Sequence, residues 1–187
     1  MARPRNPEVD VALLRDAEEI LLARGYDALS MEEIAAKTGV AKTTIYRRFP
    51  SVEHVVVALL VSWQREVPIL TEGDLRTRVL ALVTPLARDL DPAPMRRVVA
   101  ELAAAAARDE SLRAQVTELW QSRRAAAASA LRATLGDEHV DIDVVLDLLI
   151  GPLYYRVLVT DAPLGDEYVT AVVDRVLWTL NLTGGPA

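Results

Sequence analysis

The chain has 187 residues, 51% of them apolar and 5% aromatic, with 8 glycines, 10 prolines and a formal net charge of −6. That length can bury a sizeable core, and good helix formers with few turn residues point to a mostly helical protein. Cysteine is absent, which excludes disulfides, thiolate chemistry and cysteine-ligated metals. The N-terminal stretch MARPRNPEVDV is basic but leads into no apolar signal core. The longest apolar run, Val144 to Thr160, carries Asp147 and Arg156 and is too short and too charged to span a bilayer. A soluble cytoplasmic protein without a membrane partner is therefore expected. Residues 1–50 hold eight Lys/Arg and eight Asp/Glu, so the whole net negative charge falls after residue 50, whereas both lysines fall before it. That asymmetry favours two functional halves.

In chain order, 3.6-residue periodicity predicts a first helix from about Val9 to Arg24, with Leu13, Ala17, Ile20 and Leu21 on one face, ended by Gly25. Ser30-Met31-Glu32-Glu33 has capping-box form, so a short second helix runs from Met31 to about Thr38. Gly39 breaks it, and a third covers roughly Lys42 to Arg48. Pro50-Ser51 stops the third helix and caps a fourth, Val52 to about Glu66, closed by Pro68. After a loop at Glu72-Gly73-Asp74, the residues Leu75, Val79, Leu82, Val83, Leu86 and Leu90 form an apolar helical stripe. Beyond Asp91-Pro92-Ala93-Pro94, helices are expected from about Met95 to Arg108 and from about Ser111 to Leu135. The second of these turns Leu112, Val116, Leu119, Trp120 and Leu131 inward. Asp141 to Val159 reads as an almost wholly apolar helix kinked at Gly151-Pro152. The last helix, about Asp166 to Leu182, puts Tyr168, Val172, Val176 and Leu180 on one side, and Gly184-Gly185-Pro186 reads as a disordered tail. No internal repeat or alternating strand pattern occurs. The expected fold is all-α.

Two short helices joined by a glycine turn are the helix-turn-helix arrangement. Ile34 and Ala35 face inward from its first helix, Gly39 makes the turn, and Val40 and Ile45 plug the gap. The outer face of the second helix then carries Lys42, Thr43, Thr44, Tyr46 and Arg47, residue types suited to phosphates and base edges in a major groove. No acid interrupts the sequence from Lys37 to Phe49, and a local excess of cations in an acidic chain suggests an anionic partner. A helical hairpin with solvated charges is the competing reading. The agreement of apolar positions, turn and polar face disfavours it.

The stretch GYDALSMEEIAAKTGVAKTTIYRRF, Gly25 to Phe49, resembles the DNA-binding domain of the TetR family of bacterial transcriptional regulators. The resemblance covers about residues 9–60. Gly151-Pro152-Leu153-Tyr154-Tyr155-Arg156 is similar, more weakly, to a segment in one branch of the family. It implies a three-helix helix-turn-helix head (residues 1–50) and a larger helical effector-binding and dimerisation body (residues 51–187). The implied partners are double-stranded operator DNA, a small-molecule effector and a second copy bound through the last two helices. By residue, the resemblance implies backbone contacts from Lys42 and Tyr46 and base contacts from Thr43 and Thr44. Ser30 would both cap its helix and donate to a phosphate, and Arg47 and Arg48 would add backbone charge, at least one of them open to being merely solvated. Phe49 is expected in the core, and Arg3 and Arg5 as either a DNA arm or a free basic tail. The family often carries lysine where this chain has Val52, which puts one backbone contact in doubt; the helix N-terminus capped by Ser51 would remain.

An effector pocket would be an apolar cavity with a few polar groups. Trp63, Met95, Trp120, Tyr154, Tyr155 and Arg156 are the candidates by residue type and helix face, with Arg156 facing an acidic ligand, Asp147 or an acid of a second copy. Enzyme readings have little support. His54 and His139 are far apart, and no phosphate loop, nucleophile elbow or paired metal motif occurs. The acids of Asp137-Glu138-His139-Val140-Asp141-Ile142-Asp143 are ordinary partners for a helix dipole. No cofactor and no metal are expected. The resulting expectation is a dimeric, ligand-responsive regulator, a repressor before an activator. The alternative is a helical small-molecule-binding protein or enzyme with a non-functional DNA-binding head.

Overall fold

The computed structural model describes residues 7–63, 67, 69–136 and 140–180. Among the described residues the chain forms nine α-helices and no strand, so the all-α expectation holds. They are α1 (Pro7–Arg24), α2 (Met31–Thr38), α3 (Lys42–Tyr46), α4 (Val52–Ser62), α5 (Leu75–Leu90), α6 (Ala93–Ala106), α7 (Glu110–Leu135), α8 (Ile142–Tyr155) and α9 (Asp166–Thr179). The expected basic arm at Arg3 and Arg5, Pro68, the run Asp137 to His139 and the glycine tail lie outside the described residues. No helix among those described is long and apolar enough to cross a membrane.

The chain divides into two compact units. The first holds the described residues of Met1–Gln64 together with Arg97–Leu119. Its α1 carries Glu8 and Asp10 in the first turn and Arg24 in the last, each charge opposing the end of the helix dipole beside it. The apolar face expected for α1, Leu13, Ala17, Ile20 and Leu21, is buried, as are Ile34 of α2 and Ile45 of α3. Arg24 pairs with Glu33 and Lys37 with Glu19, tying α1 to α2. A 3₁₀ turn, Tyr26–Ala28, links these helices. Arg97 on α6 reaches Asp27 in that turn at 3.3 Å and Glu101 at 3.0 Å. Tyr26 hydrogen-bonds Glu53, and burial pushes its phenol well above the ordinary value.

The second unit holds the described residues of Arg65–Arg96 and Trp120–Ala187. Here α5 packs along α9 and touches α8, and α8 packs on α9. Asp74 caps α5 by accepting from the Thr77 N–H at 2.7 Å, and Asp141 caps α8 by accepting from Asp143 and Val144. Arg76 forks onto Asp174 at 2.5 and 3.1 Å, joining α5 to α9. Arg124 bridges α7 to Asp143 and Asp147 of α8. Asp91 accepts from the Leu164 N–H at 2.8 Å and from Arg96 at 2.7 Å, and these bonds hold its carboxyl below the usual range.

Two expectations for this unit change. The apolar helix α8 keeps its helical assignment through Gly151-Pro152 and ends at Tyr155, short of the expected Val159, with a π-helical turn following at Arg156–Thr160. The core stripe of α9 is Val169, Val173, Val176 and Leu177; of the expected face only Val176 is buried, and Tyr168, Val172 and Leu180 are not. Valines lie on both sides of this helix, so two phases fit the periodicity equally well, and packing against α5 and α8 selects one. On α8 and the π turn, Val144, Leu148, Tyr155, Leu158 and Val159 remain exposed at near-heptad spacing, as does Trp178 on α9 at 64%.

Candidate nucleic-acid interface

The helix-turn-helix is built from short-range hydrogen bonds. Ser30 sits at the N-cap of α2 with extended backbone, and its Oγ accepts from the Glu33 N–H at 3.1 Å. Gly39 takes φ 68°, the left-handed region, and its N–H donates to the Ala35 carbonyl at 3.0 Å. Thr38 adds a brace that the sequence reading missed. Its hydroxyl donates to the Ile34 carbonyl at 2.7 Å and accepts from the Val40 N–H at 3.2 Å. The signal for it was a threonine immediately before the glycine, a residue type that bonds to nearby backbone.

This turn presents α3. Ile45 is fully buried and anchors the helix; Lys42, Thr43, Tyr46 and Arg47 are exposed, Tyr46 at 46%, and Thr44 is half-buried. Lys42 Nζ lies 2.9 Å from Glu32 of α2, and that contact holds the Glu32 carboxyl below its ordinary range. Arg48 behaves differently from its neighbour. Its side chain is only 10% exposed and pairs with Asp10 of α1. Phe49 is half-buried, as is Ser30.

At the start of α4, the expected serine cap is replaced. Ser51 occupies the cap position, but its hydroxyl bonds His54 Nδ1 at 3.0 Å and no backbone N–H. His54 is 4% exposed, so the bond ties the half-buried Ser51 to a buried ring. The Trp63 indole N–H donates to Glu18 at 2.8 Å, within the first unit.

In the second unit, Trp120 of α7 and Tyr154 of α8 meet edge to face, with ring centroids 5.8 Å apart and planes at 84°. Met95 on α6 is half-buried and Tyr155 is exposed at 57%. The Arg156 guanidinium lies 3.4 Å over the Tyr168 ring and donates to the Pro163 carbonyl at 2.6 Å. Asp147, one of its expected partners, is held by Arg124 instead. The sequence reading passed over Arg123, whose guanidinium lies 5.6 Å from the Trp120 ring; it stands beside an alanine run and looks there like a solvated charge. Among the described residues no three His, Asp or Glu side chains gather as metal ligands would, and His139 is not among those described.

A cationic, hydroxyl-bearing helix face held by a glycine turn can dock on an anionic duplex, and comparison with known proteins agrees with that geometry. Residues 13–59 match the bacterial regulatory proteins of the tetR family, and residues 70–176 match the tetracyclin repressor-like C-terminal domain. The chain belongs to the TetR family of HTH-type transcriptional regulators, a DNA-binding and non-enzymatic family. It is 32% identical over 177 residues to the uncharacterized HTH-type transcriptional regulator YdeS of Bacillus subtilis, covering 91% of this chain and 89% of YdeS. A DNA-binding transcriptional repressor TetR of Mycobacteroides abscessus is 32% identical over 183 residues, covering 92% and 94%. The crystal structure of the TetR family regulator SCO0332 superposes with a TM-score of 0.76 at 32% identity, covering 91% of this chain and 97% of that one.

Proposed function

We propose that the chain is a ligand-responsive repressor that binds a pseudo-palindromic operator as a homodimer. Residues 1–50 act as the DNA-binding domain, and residues 51–187 take the effector and form the dimer. The observation that carries this reading is the face of α3, where Lys42, Thr43, Tyr46 and Arg47 point to solvent around a fully buried Ile45. Tyr46 and Lys42 contact phosphates, Lys42 exchanging Glu32 for the DNA. Thr43 and Thr44 reach base edges, and the Ser30 hydroxyl and Arg47 add backbone contacts. Arg48, paired with Asp10, serves by positioning α3.

The exposed stripe of Val144, Leu148, Tyr155, Leu158 and Val159, with Trp178, supports pairing through the last two helices. Such a dimer would set its recognition helices ~34 Å apart, one DNA turn. The repressor named for Mycobacteroides abscessus supports repression over activation. Effector in the body then favours a head spacing that no longer fits the groove, so ligand and DNA are negatively coupled.

The test is fluorescence anisotropy of the purified protein on its own upstream DNA, with random-sequence selection to supply a site if none lies there. Tight binding that falls steeply with salt and is lost in a Lys42→Ala, Tyr46→Ala variant is the expected result. A wild type that selects no sequence and binds with no salt dependence sinks the reading and favours a small-molecule-binding protein with an inert head.

A further inference from the structure

Within the second unit, Trp120 and Tyr154, both candidates for the effector pocket, converge with Arg123, which nothing above assigns a role. Trp120 and Arg123 are three residues apart on α7, and helix spacing alone explains their nearness. It does not explain Tyr154, which comes from α8 to lie edge-on against the same indole. The result is a guanidinium 5.6 Å from the centre of one ring of an edge-to-face aromatic pair. All three residues are half-buried, so each keeps part of its surface open.

We propose that Trp120, Arg123 and Tyr154 form a receptor for an aromatic carboxylate, which deepens and rests on the reading of the body as an effector-binding domain. A guanidinium presents forked donors that match one carboxylate. One such cation suits a monoanion better than a phosphate dianion, and it repels a cationic ligand. The indole and phenol offer a face and an edge to a planar ring. Electrostatics agree with the geometry. Burial draws the Arg123 value down from that of a free guanidinium, although Tyr154 and the exposed Asp89 pull the other way. In such a partly desolvated setting an anion beside a guanidinium gains more than it would in bulk solvent. Burial also pushes the Tyr154 phenol up to about 12; its hydroxyl, like any phenol at neutral pH, is protonated and can donate.

The test is calorimetric titration of the full-length protein with benzoate, 1-naphthoate and indole-3-acetate, each beside its primary amide, and with octanoate as a ring-free acid. At least one aromatic acid should bind, about tenfold or more tighter than its amide and than octanoate. Arg123→Gln should remove that preference, Arg123→Lys should retain part of it, and Tyr154→Phe should weaken binding by a smaller factor. The proposal is overturned if no aromatic acid binds, if amide or octanoate binds equally well, or if Arg123→Gln leaves the preference intact. Should Arg123→Gln fail to unfold cooperatively, the wild-type acid-to-amide ratio and Arg123→Lys still decide. Operator binding is measured on the same samples. Acids that bind without releasing DNA would uphold this receptor and defeat ligand-responsive repression. DNA binding with no acid bound would do the reverse.

Discussion

Arg47 and Arg48 are adjacent in the chain, yet one faces solvent and the other pairs with Asp10 across the head. Their substitutions should therefore fail in different ways. Arg47→Ala should leave the thermal midpoint unchanged, weaken operator binding, and reduce the slope of log K against log salt by about 0.9, the signature of one lost phosphate contact. Arg48→Ala should instead destabilise the fold by about 2 kcal/mol, a value below that of a fully buried pair because Asp10 keeps some water. Its binding defect should carry little change in salt slope. A melt and an anisotropy series on the two variants check both statements. This division was not legible from sequence. The i,i+1 pair reads as two equivalent cations, and the partner of one lies 38 residues away.

At the level of elements, the turn at Gly39 is the most sharply specified feature. Its φ of 68° and the N–H bond to Ala35 leave open space where a Cβ would lie, so Gly39→Ala meets no clash and only the backbone strain of a left-handed residue. A loss of about 1–2 kcal/mol is expected from urea unfolding, with the far-UV spectrum unchanged. A loss above about 4 kcal/mol would mean that the added methyl does meet a neighbour. Capping and breaking residues made such elements legible: Ser30, Gly39 and Gly136 all stand where the helices start or stop. Helix faces were harder to read. On α9 the valines of both phases satisfied the same periodicity, and only α5 and α8 packing against it decide which are buried. At Ser51 the local rule was outcompeted by a buried histidine. Trp120 and Tyr154 were nominated on residue type. Arg123 follows Trp120 by local i,i+3 spacing, whereas the meeting of Trp120 with Tyr154 comes from α7 lying against α8 and could not be read from spacing within one helix.

At the scale of the whole molecule, the exposed apolar residues of α8 demand a cover. Leu148 stands mid-stripe at 42% exposed and outside the buried set of that helix, so Leu148→Glu should fold with near-normal stability. By analytical ultracentrifugation it should shift a dimer toward monomer at micromolar concentration, with operator affinity falling in step because half-sites are no longer held together. An unchanged sedimentation profile would rule out pairing through this stripe. The ion pairs of the head have a further consequence, for the covalent chemistry of the surface. Lys37 and Lys42 are the only lysines of the chain, one bound to Glu19 and the other to Glu32. Every side-chain amine therefore lies on a single small unit, and amine-selective reagents become a reporter of that unit alone. Reductive methylation followed by mass spectrometry should modify both lysines in the free protein, and operator DNA should shield Lys42 while leaving Lys37 reactive. An acetyl group on Lys42 would remove the α3 lysine's charge and its bond to Glu32 in one step, while leaving the helical body chemically untouched.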